Sequence, residues 1–247
     1  MSAVVCEPWT GLVELRPAPA LVAASHGTSS AAGQAAISAV VEEIARRRPD
    51  LQVSAAFVDV QQPDVPTSLE ALSGQARVVP LLLSSGYHVH VDLARAADAR
   101  AATTVSAALG PDLRLTEVLA RRLREAGVRS GDAIVLGCAG SSDARAVADC
   151  ETTAAQLAAL LGQPVRAGYI SAAAPDLATA VAAARRELAG ADPAGRVVVA
   201  SYLLAPGYFA SLAAGCGADV VTEPLLAPGH VPPPAVVDVV LDRFSAP

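Results

Sequence analysis

Short apolar runs alternate along this chain with longer stretches whose apolar residues return every three or four positions. Leu21, Val22, Ala23 and Ala24 form the first run, and polar residues follow at once. Ile37, Val40, Val41 and Ile44 then recur at the spacing of one helical face, until Pro49 stops the pattern. The same reading predicts strands over residues 21–25, 51–59, 78–83 and 103–107, and helices over 33–48, 66–74, 92–99 and 111–126. The pattern then starts again. Strands are expected over 133–137, 165–170, 197–203 and 219–222, and helices over 143–161, 176–188, 208–214 and 234–244. Strands separated by amphipathic helices indicate an α/β protein with parallel sheets. Residues 1–19 contain Trp9, Pro8, Pro17 and Pro19 but no periodicity, and read as a loose extension.

The second half reads as a copy of the first. His26-Gly27-Thr28-Ser29 matches Ala139-Gly140-Ser141-Ser142, Pro63-Asp64 matches Pro175-Asp176, and Gly86-Tyr87-His88 matches Gly207-Tyr208-Phe209. Leu109-Gly110-Pro111 loosely matches Ala227-Pro228-Gly229. The expected division is an extension at 1–19, a first lobe at 20–127 and a second at 128–247. The copies differ where it matters for chemistry: His26 becomes Ala139 and His88 becomes Phe209. Two imidazoles lost together point to a site used in one half only. Tyr87 has a counterpart in Tyr208, which suggests a packing role.

Composition narrows the chemistry. All 18 basic residues are arginine, so the chain has no lysine for a Schiff base, a P-loop or a kinase site. The net charge of −6, with no basic run beyond Arg46 to Arg48, argues against nucleic acid. No apolar run is long enough to span a membrane, and the N-terminal stretch lacks the basic-then-apolar layout expected of a secretory signal. Cys6, Cys138, Cys150 and Cys216 show no C-x-x-C spacing and fit a reduced, cytoplasmic protein. No G-x-S-x-G elbow supports a hydrolase.

What remains is a concentration of imidazole at strand ends. Four histidines are present. His26 follows the first strand, and His88 and His90 follow the third; His230 reads as a loop residue. Ligands of an open parallel sheet bind beyond its carboxyl edge, where strand order reverses. In the order 2-1-3-4, Asp59 at the end of strand two, His26 and His88 stand in a row. Two imidazoles and a carboxylate suit a divalent metal such as Fe, Co, Ni or Zn, and also suit proton removal near neutral pH. His90, two residues along an extended segment, shares the side of His88 as an auxiliary base or entrance ligand. Asp92 is an expected N-cap for the helix after it.

These residues resemble a family. S-H-G-[ST] at residues 25–28, F-x-[ED] at 57–59 and V-P-L-x-L-x-x-G-x-H-x-x-x-D at 79–92 are similar to the class II tetrapyrrole chelatases, and most of all to the sirohydrochlorin chelatase group in its long, two-repeat form. Leu109-Gly110-Pro111-Asp112 resembles the family's L-G-x-x segment. The resemblance spans about residues 20–245. It implies two flavodoxin-like lobes, each a four-stranded parallel sheet flanked by helices, facing each other across a cleft. It implies a lyase-type chelatase that inserts Fe2+ or Co2+ into sirohydrochlorin, in siroheme or cobalamin biosynthesis. The alternative is a non-catalytic tetrapyrrole or metal carrier on the same fold. The family histidines fall on His26 and His88, as metal ligands or bases, and the family acid, usually glutamate, falls on Asp59. No cofactor beyond the substrate metal is implied, and the protein is expected to act as a monomer or homodimer. Because the chain is acidic, the substrate's carboxylates are expected to meet local groups: Thr28, Ser29 and Ser30, Ser84, Ser85 and Gly86, Ser141 and Ser142, helped by Arg95.

Overall fold

The computed structural model describes residues 18–86, 88–191 and 194–246, without the side chains of residues 88–90 and 191. Tyr87 and nearly all of the expected extension thus lie outside the described residues. In the first half β1 (Ala20–Ser25), β2 (Val53–Phe57), β3 (Ala76–Pro80) and β4 (Thr103–Val105) alternate with α1 (Ala31–Arg47), α2 (Val65–Glu70), α3 (Ala94–Asp98) and α4 (Leu113–Glu125). In the second, β5 (Ala133–Cys138), β6 (Val165–Tyr169), β7 (Val197–Tyr202) and β8 (Val220–Val221) alternate with α5 (Ala144–Leu161), α6 (Leu177–Ala191), α7 (Tyr208–Ala214) and α8 (Pro234–Ser245). Both sheets are parallel, in the orders β2-β1-β3-β4 and β6-β5-β7-β8.

The registers establish the repeat. Ala20 pairs with Ala76, and Ala133 with Val197; Leu21 pairs with Val53, and Ile134 with Val165. The shift between copies is therefore 113 at the first strand, 112 at the second and 121 at the third. At the fourth loop the equivalence is Leu109 with Leu225, whose amides bond the carbonyls of Leu82 and Leu203. The loose match to residues 227–229 is displaced by two positions.

Alternation along the strands sorts the core into layers. Leu21, Ala23, Val79 and Leu81 face inward, as do Ile134, Leu136, Val198 and Ala200, and all belong to one buried cluster. Ala20, Val22, Ala24 and Val78 face outward onto α2, and Val135, Val197 and Val199 onto α6. The inner layer is exchanged between halves. Helix α4, last in the first half, packs on α5 and β7, whereas α8, last in the second, packs on α1 and β3. Arg122 of α4 donates to the carbonyls of Pro224 and Leu225 at 3.1 and 2.9 Å. Arg243 of α8 makes the equivalent pair of bonds to Ala108 and Leu109 at 2.8 and 2.9 Å. The turn between residues 127 and 128 separates the two sheets in sequence, but the helices cross it.

Two local expectations are corrected. Residues 88–93 are not extended: His88–Leu93 is a π-helical turn running into α3. Alternation by two, a strand rule, therefore no longer relates His90 to His88. Asp92 lies inside that turn and not at the N-cap position, and the residue before α3, Leu93, has no capping side chain. Among the described residues no helix is long and apolar enough to cross a membrane.

Candidate functional site

The carboxyl ends of the two sheets face each other across a cleft of about 730 Å³. One wall is built by the loops after β1 and β3, with His26, Gly27, Thr28, Leu81, Leu82, Leu83, Ser84 and Gly86. The other is built by the loops after β5, β6 and β7, with Ala139, Gly140, Ser141, Ser171, Leu204, Pro206, Tyr208 and Phe209. A cavity of this size and apolar lining is typical of small-molecule sites, which run from about 300 to 1,000 Å³. Among the described residues, no arginine and no carboxylate lines it.

His26 reaches this wall because β1 ends at Ser25 and Gly27 turns the chain with φ +92°. A Cβ on Gly27 would collide with the carbonyl oxygen of Asp59, so only glycine fits. The loop is then clamped at Thr28. Its N–H donates to Gln61 Oε1 and its carbonyl accepts from Gln34 Nε2, both at 2.8 Å. The adjoining Val60, half-exposed at the cleft, is held at φ +64°, a strained conformation for a β-branched residue. Gln61 and Gln34 were missed in the sequence. They are 27 residues apart, and only the fold brings them to the two sides of Thr28. In the copy their places hold Ala173 and Val147.

One expectation for the rim, that for Asp59, is revised. Strand β2 ends at Phe57, two residues before Asp59. Asp59 is exposed, its carboxylate accepts from the Val60 N–H at 2.7 Å, and it is not among the cleft-lining residues. Its link to His26 runs through the backbone, the Asp59 N–H donating to the His26 carbonyl at 2.9 Å. The backbone at His88 starts the π-helical turn two residues beyond Gly86, which lines the cleft. The imidazoles of His88 and His90 lie outside the described side chains. Among the described residues no group of three or more His, Cys, Asp or Glu is placed to hold a metal.

The proposed carboxylate cradle is largely occupied. Thr28 N–H is held by Gln61, Ser30 N–H by the Thr28 hydroxyl at 3.1 Å, Ser85 N–H by Asp149 at 2.7 Å and Gly86 N–H by the Ser84 carbonyl at 2.9 Å. Arg95 lines a separate hollow on the outer face, beside α2 and Asp92. Tyr208 does not pack in the core. It is 71% exposed at the cleft mouth, edge-on to Phe209 with centroids 6.0 Å apart. Cys150 lines the cleft and neighbours the buried Cys138. A hydrogen bond to Cys150, together with burial, pushes the Cys138 thiol up, which removes it from the thiolate chemistry that metals need.

Fold and site together define a two-lobed α/β protein with imidazole on one wall of the cleft. The CbiX family model matches residues 20–126 and 133–212, well over half of the chain, and the chain belongs to that family. Among solved structures, SirB from Bacillus subtilis with Fe3+ is similar with a TM-score of 0.73 at 20% identity, covering 92% of this chain and 94% of that one. The sirohydrochlorin chelatase SirB from Bacillus subtilis subspecies spizizenii, in complex with cobalt, gives 0.68 at 18% with the same coverage. CbiX, the terminal enzyme for biosynthesis of siroheme in denitrifying bacteria, gives 0.63 at 18%, covering 90% of this chain and 98% of that one. No curated protein matches. The family resemblance and the paired four-stranded sheets expected from the sequence are borne out.

Proposed function

We propose that this protein inserts a divalent metal, Fe2+ or Co2+, into sirohydrochlorin, with His26 and His88 as its reactive side chains. The observation that carries the reading is the cleft, which has a histidine loop of one lobe on one wall and apolar residues of both lobes around it. The membership of the CbiX family supports it, as do the similar SirB chains solved with Fe3+ and with cobalt.

Metal insertion replaces two pyrrole N–H protons by one M2+, so two protons must leave the ring as the metal enters. A neutral imidazole can either ligate the metal or accept a proton. His26 and His88 take these two tasks on one face of the macrocycle. Leu81, Leu83, Leu204 and Val60 contact the flat ring and exclude water, which favours removal of the metal's hydration shell at the ring. With no arginine lining the cleft among the described residues, the substrate's carboxylates point toward its open mouth and the hydroxyls of Ser29, Ser84, Ser141 and Ser142. Asp59 orients the His26 loop through its backbone and takes no proton directly. The protein works in the cytoplasm, as a monomer or homodimer.

Incubating the protein with sirohydrochlorin and Fe2+ or Co2+, and following ring absorbance, tests the proposal. Catalytic turnover of many equivalents is expected. Tight binding with one equivalent or none converted would identify a carrier instead.

A further inference from the structure

The segment leading into His88 is held from the opposite lobe, and that hold has no counterpart in the reverse direction. Residues 82–86 connect β3 to the π-helical turn. Within the lobe, the Leu82 carbonyl accepts from Leu109 N–H at 2.8 Å, as Leu203 does from Leu225 at 3.0 Å. The next two contacts cross the cleft. The Tyr202 hydroxyl, at the end of β7, donates to the Leu83 carbonyl at 3.0 Å. Asp149 Oδ2, on α5, accepts from the Ser85 N–H at 2.7 Å. Thr153 joins the two anchors, its hydroxyl lying 3.0 Å from the Asp149 carbonyl and 3.3 Å from the Tyr202 hydroxyl. Gly110 leaves the room these groups need, since a Cβ there would collide with both the Tyr202 hydroxyl and the Leu83 carbonyl.

The repeat supplies an internal control. The strand registers place Leu81 at the position of Tyr202, Ala36 at that of Asp149, and Pro206 at that of Ser85. Leucine and alanine carry no polar side chain, and proline has no N–H. Neither bond can form from the first lobe onto the second. Bonds that served only to join two lobes could run in either direction. These run only onto the segment that precedes a histidine. Both are also durable: the carboxylate makes a charge-assisted bond, and burial raises the Tyr202 phenol so far that it stays a donor at working pH.

We propose that Asp149 and Tyr202 are positioning residues for metal insertion: from the lobe that brings no imidazole to the cleft they fix residues 83–86, and with them the start of the turn that carries His88. The proposal rests on the reading of His88 as a site residue.

The test compares Asp149→Ala, Asp149→Asn and Tyr202→Phe with the wild type. For each, kcat and KM for Co2+ insertion into sirohydrochlorin are measured, with thermal unfolding and hydrogen exchange over residues 83–86. Displacement of a reacting group by an ångström costs about 100-fold, so Asp149→Ala is expected to lower kcat by about 10- to 100-fold. KM for the tetrapyrrole stays within about twofold, because the walls that bind the ring are untouched. Asn keeps an acceptor oxygen at the same place, so Asp149→Asn recovers kcat to within about threefold of wild type. Tyr202→Phe falls between, and exchange at the Ser85 amide quickens in Asp149→Ala. An unchanged kcat in folded Asp149→Ala, or a loss that Asn does not restore, overturns the proposal. A wild-type protein that binds sirohydrochlorin without inserting metal refutes the function by itself. In that case unchanged exchange at Ser85 would separately refute the clamp.

Discussion

The two lobes share a backbone and differ in side chains. Gly27 and Gly140 turn with φ +92° and +90°. Val60 and Ala172 sit at φ +64° and +54°. Asp64 and Asp176 cap their helices through the N–H groups of Thr67 and Thr179. Even the exchanged arginines, Arg122 and Arg243, hold equivalent carbonyls. Against this, His26 faces Ala139, Gln61 faces Ala173, Gln34 faces Val147, and Ser85 faces Pro206. The difference teaches that both lobes are needed for the shape of the cleft, whereas the imidazole described on its wall belongs to one. The second lobe keeps hydroxyls on its wall, and its Asp149 and Tyr202 are aimed at the first.

The largest expected effect tests that division directly. His26→Ala and His88→Ala each remove an imidazole proposed to be reactive, and a loss of about 100-fold or more in kcat is expected from general acid–base catalysis alone. Stability should barely move, with a Tm within about 2 °C of wild type, because the second lobe folds with Ala139 and Phe209 at these places. Near-normal insertion of metal by folded His88→Ala would end the one-sided account.

The matched glycines come next. Gly27→Ala and Gly140→Ala each force an L residue into the left-handed region and drive a Cβ into a carbonyl, of Asp59 in one case and Ser171 in the other. Each is expected to lose about 1–3 kcal/mol in chemical denaturation. Activity per folded molecule should diverge, because Gly27 adjoins His26 and Gly140 adjoins Ala139. Equal activity losses would mean that the cleft's shape, and not its imidazole wall, limits the rate.

Much of this was legible in the residues. Apolar runs broken by glycine and serine marked seven of the eight strands to within about two residues, as boundary errors usually run. The repeat was visible because turn residues, Gly27 and Asp64 among them, are fixed by backbone geometry and leave the same letters in both copies. Long-range placement was not legible. Nothing local in α4 or α8 says that each packs on the other half's sheet. Gln34, Gln61 and Asp149 are ordinary polar letters until folding sets the two glutamines against the backbone of Thr28 and the aspartate against the Ser85 N–H. Asp59 misled because an apolar run ending in an acid looks like a strand end, whereas pairing with β1 stops at Phe57. The alternation His88, Val89, His90 imitated a strand, and a π-helical turn overrode it.

A smaller contrast lies at the base of the lobes, far from the cleft. Asp132 is buried and accepts from Arg196 Nη2 at 2.6 Å and from the N–H groups of Arg129 and Arg196 at 2.9 and 3.0 Å. The Arg196 guanidinium holds its carboxyl down, from 3.8 to about 2. The first lobe has Pro19 and Gln75 at these positions and no such pair. A depressed folded-state pKa stabilises above the unfolded value and loses that contribution as pH falls through the folded value. Asp132→Asn should therefore cost about 2 kcal/mol at pH 6, and the gap from wild type should close between about pH 4 and pH 2. Urea titrations across that window check it, and a gap independent of pH would remove the ion pair from the account. Metal insertion at pH 7 should be unchanged per folded molecule.

The smallest effect is expected at the fourth histidine. His230 is exposed in the loop between β8 and α8, its N–H 3.4 Å from the Ala227 carbonyl, and it is not among the cleft-lining residues. Its neighbourhood belongs to the lobe that supplies a wall of the cleft but no imidazole to it. His230→Ala should leave stability within about 0.5 kcal/mol, as exposed substitutions usually do, and kcat within about twofold. The variant separates two explanations that deletion at His26 or His88 alone cannot. If any lost imidazole slows the reaction by weakening metal capture in general, His230→Ala will slow it too. If the rate depends on imidazole at the cleft wall, the titration of Co2+ against activity will superpose on that of the wild type.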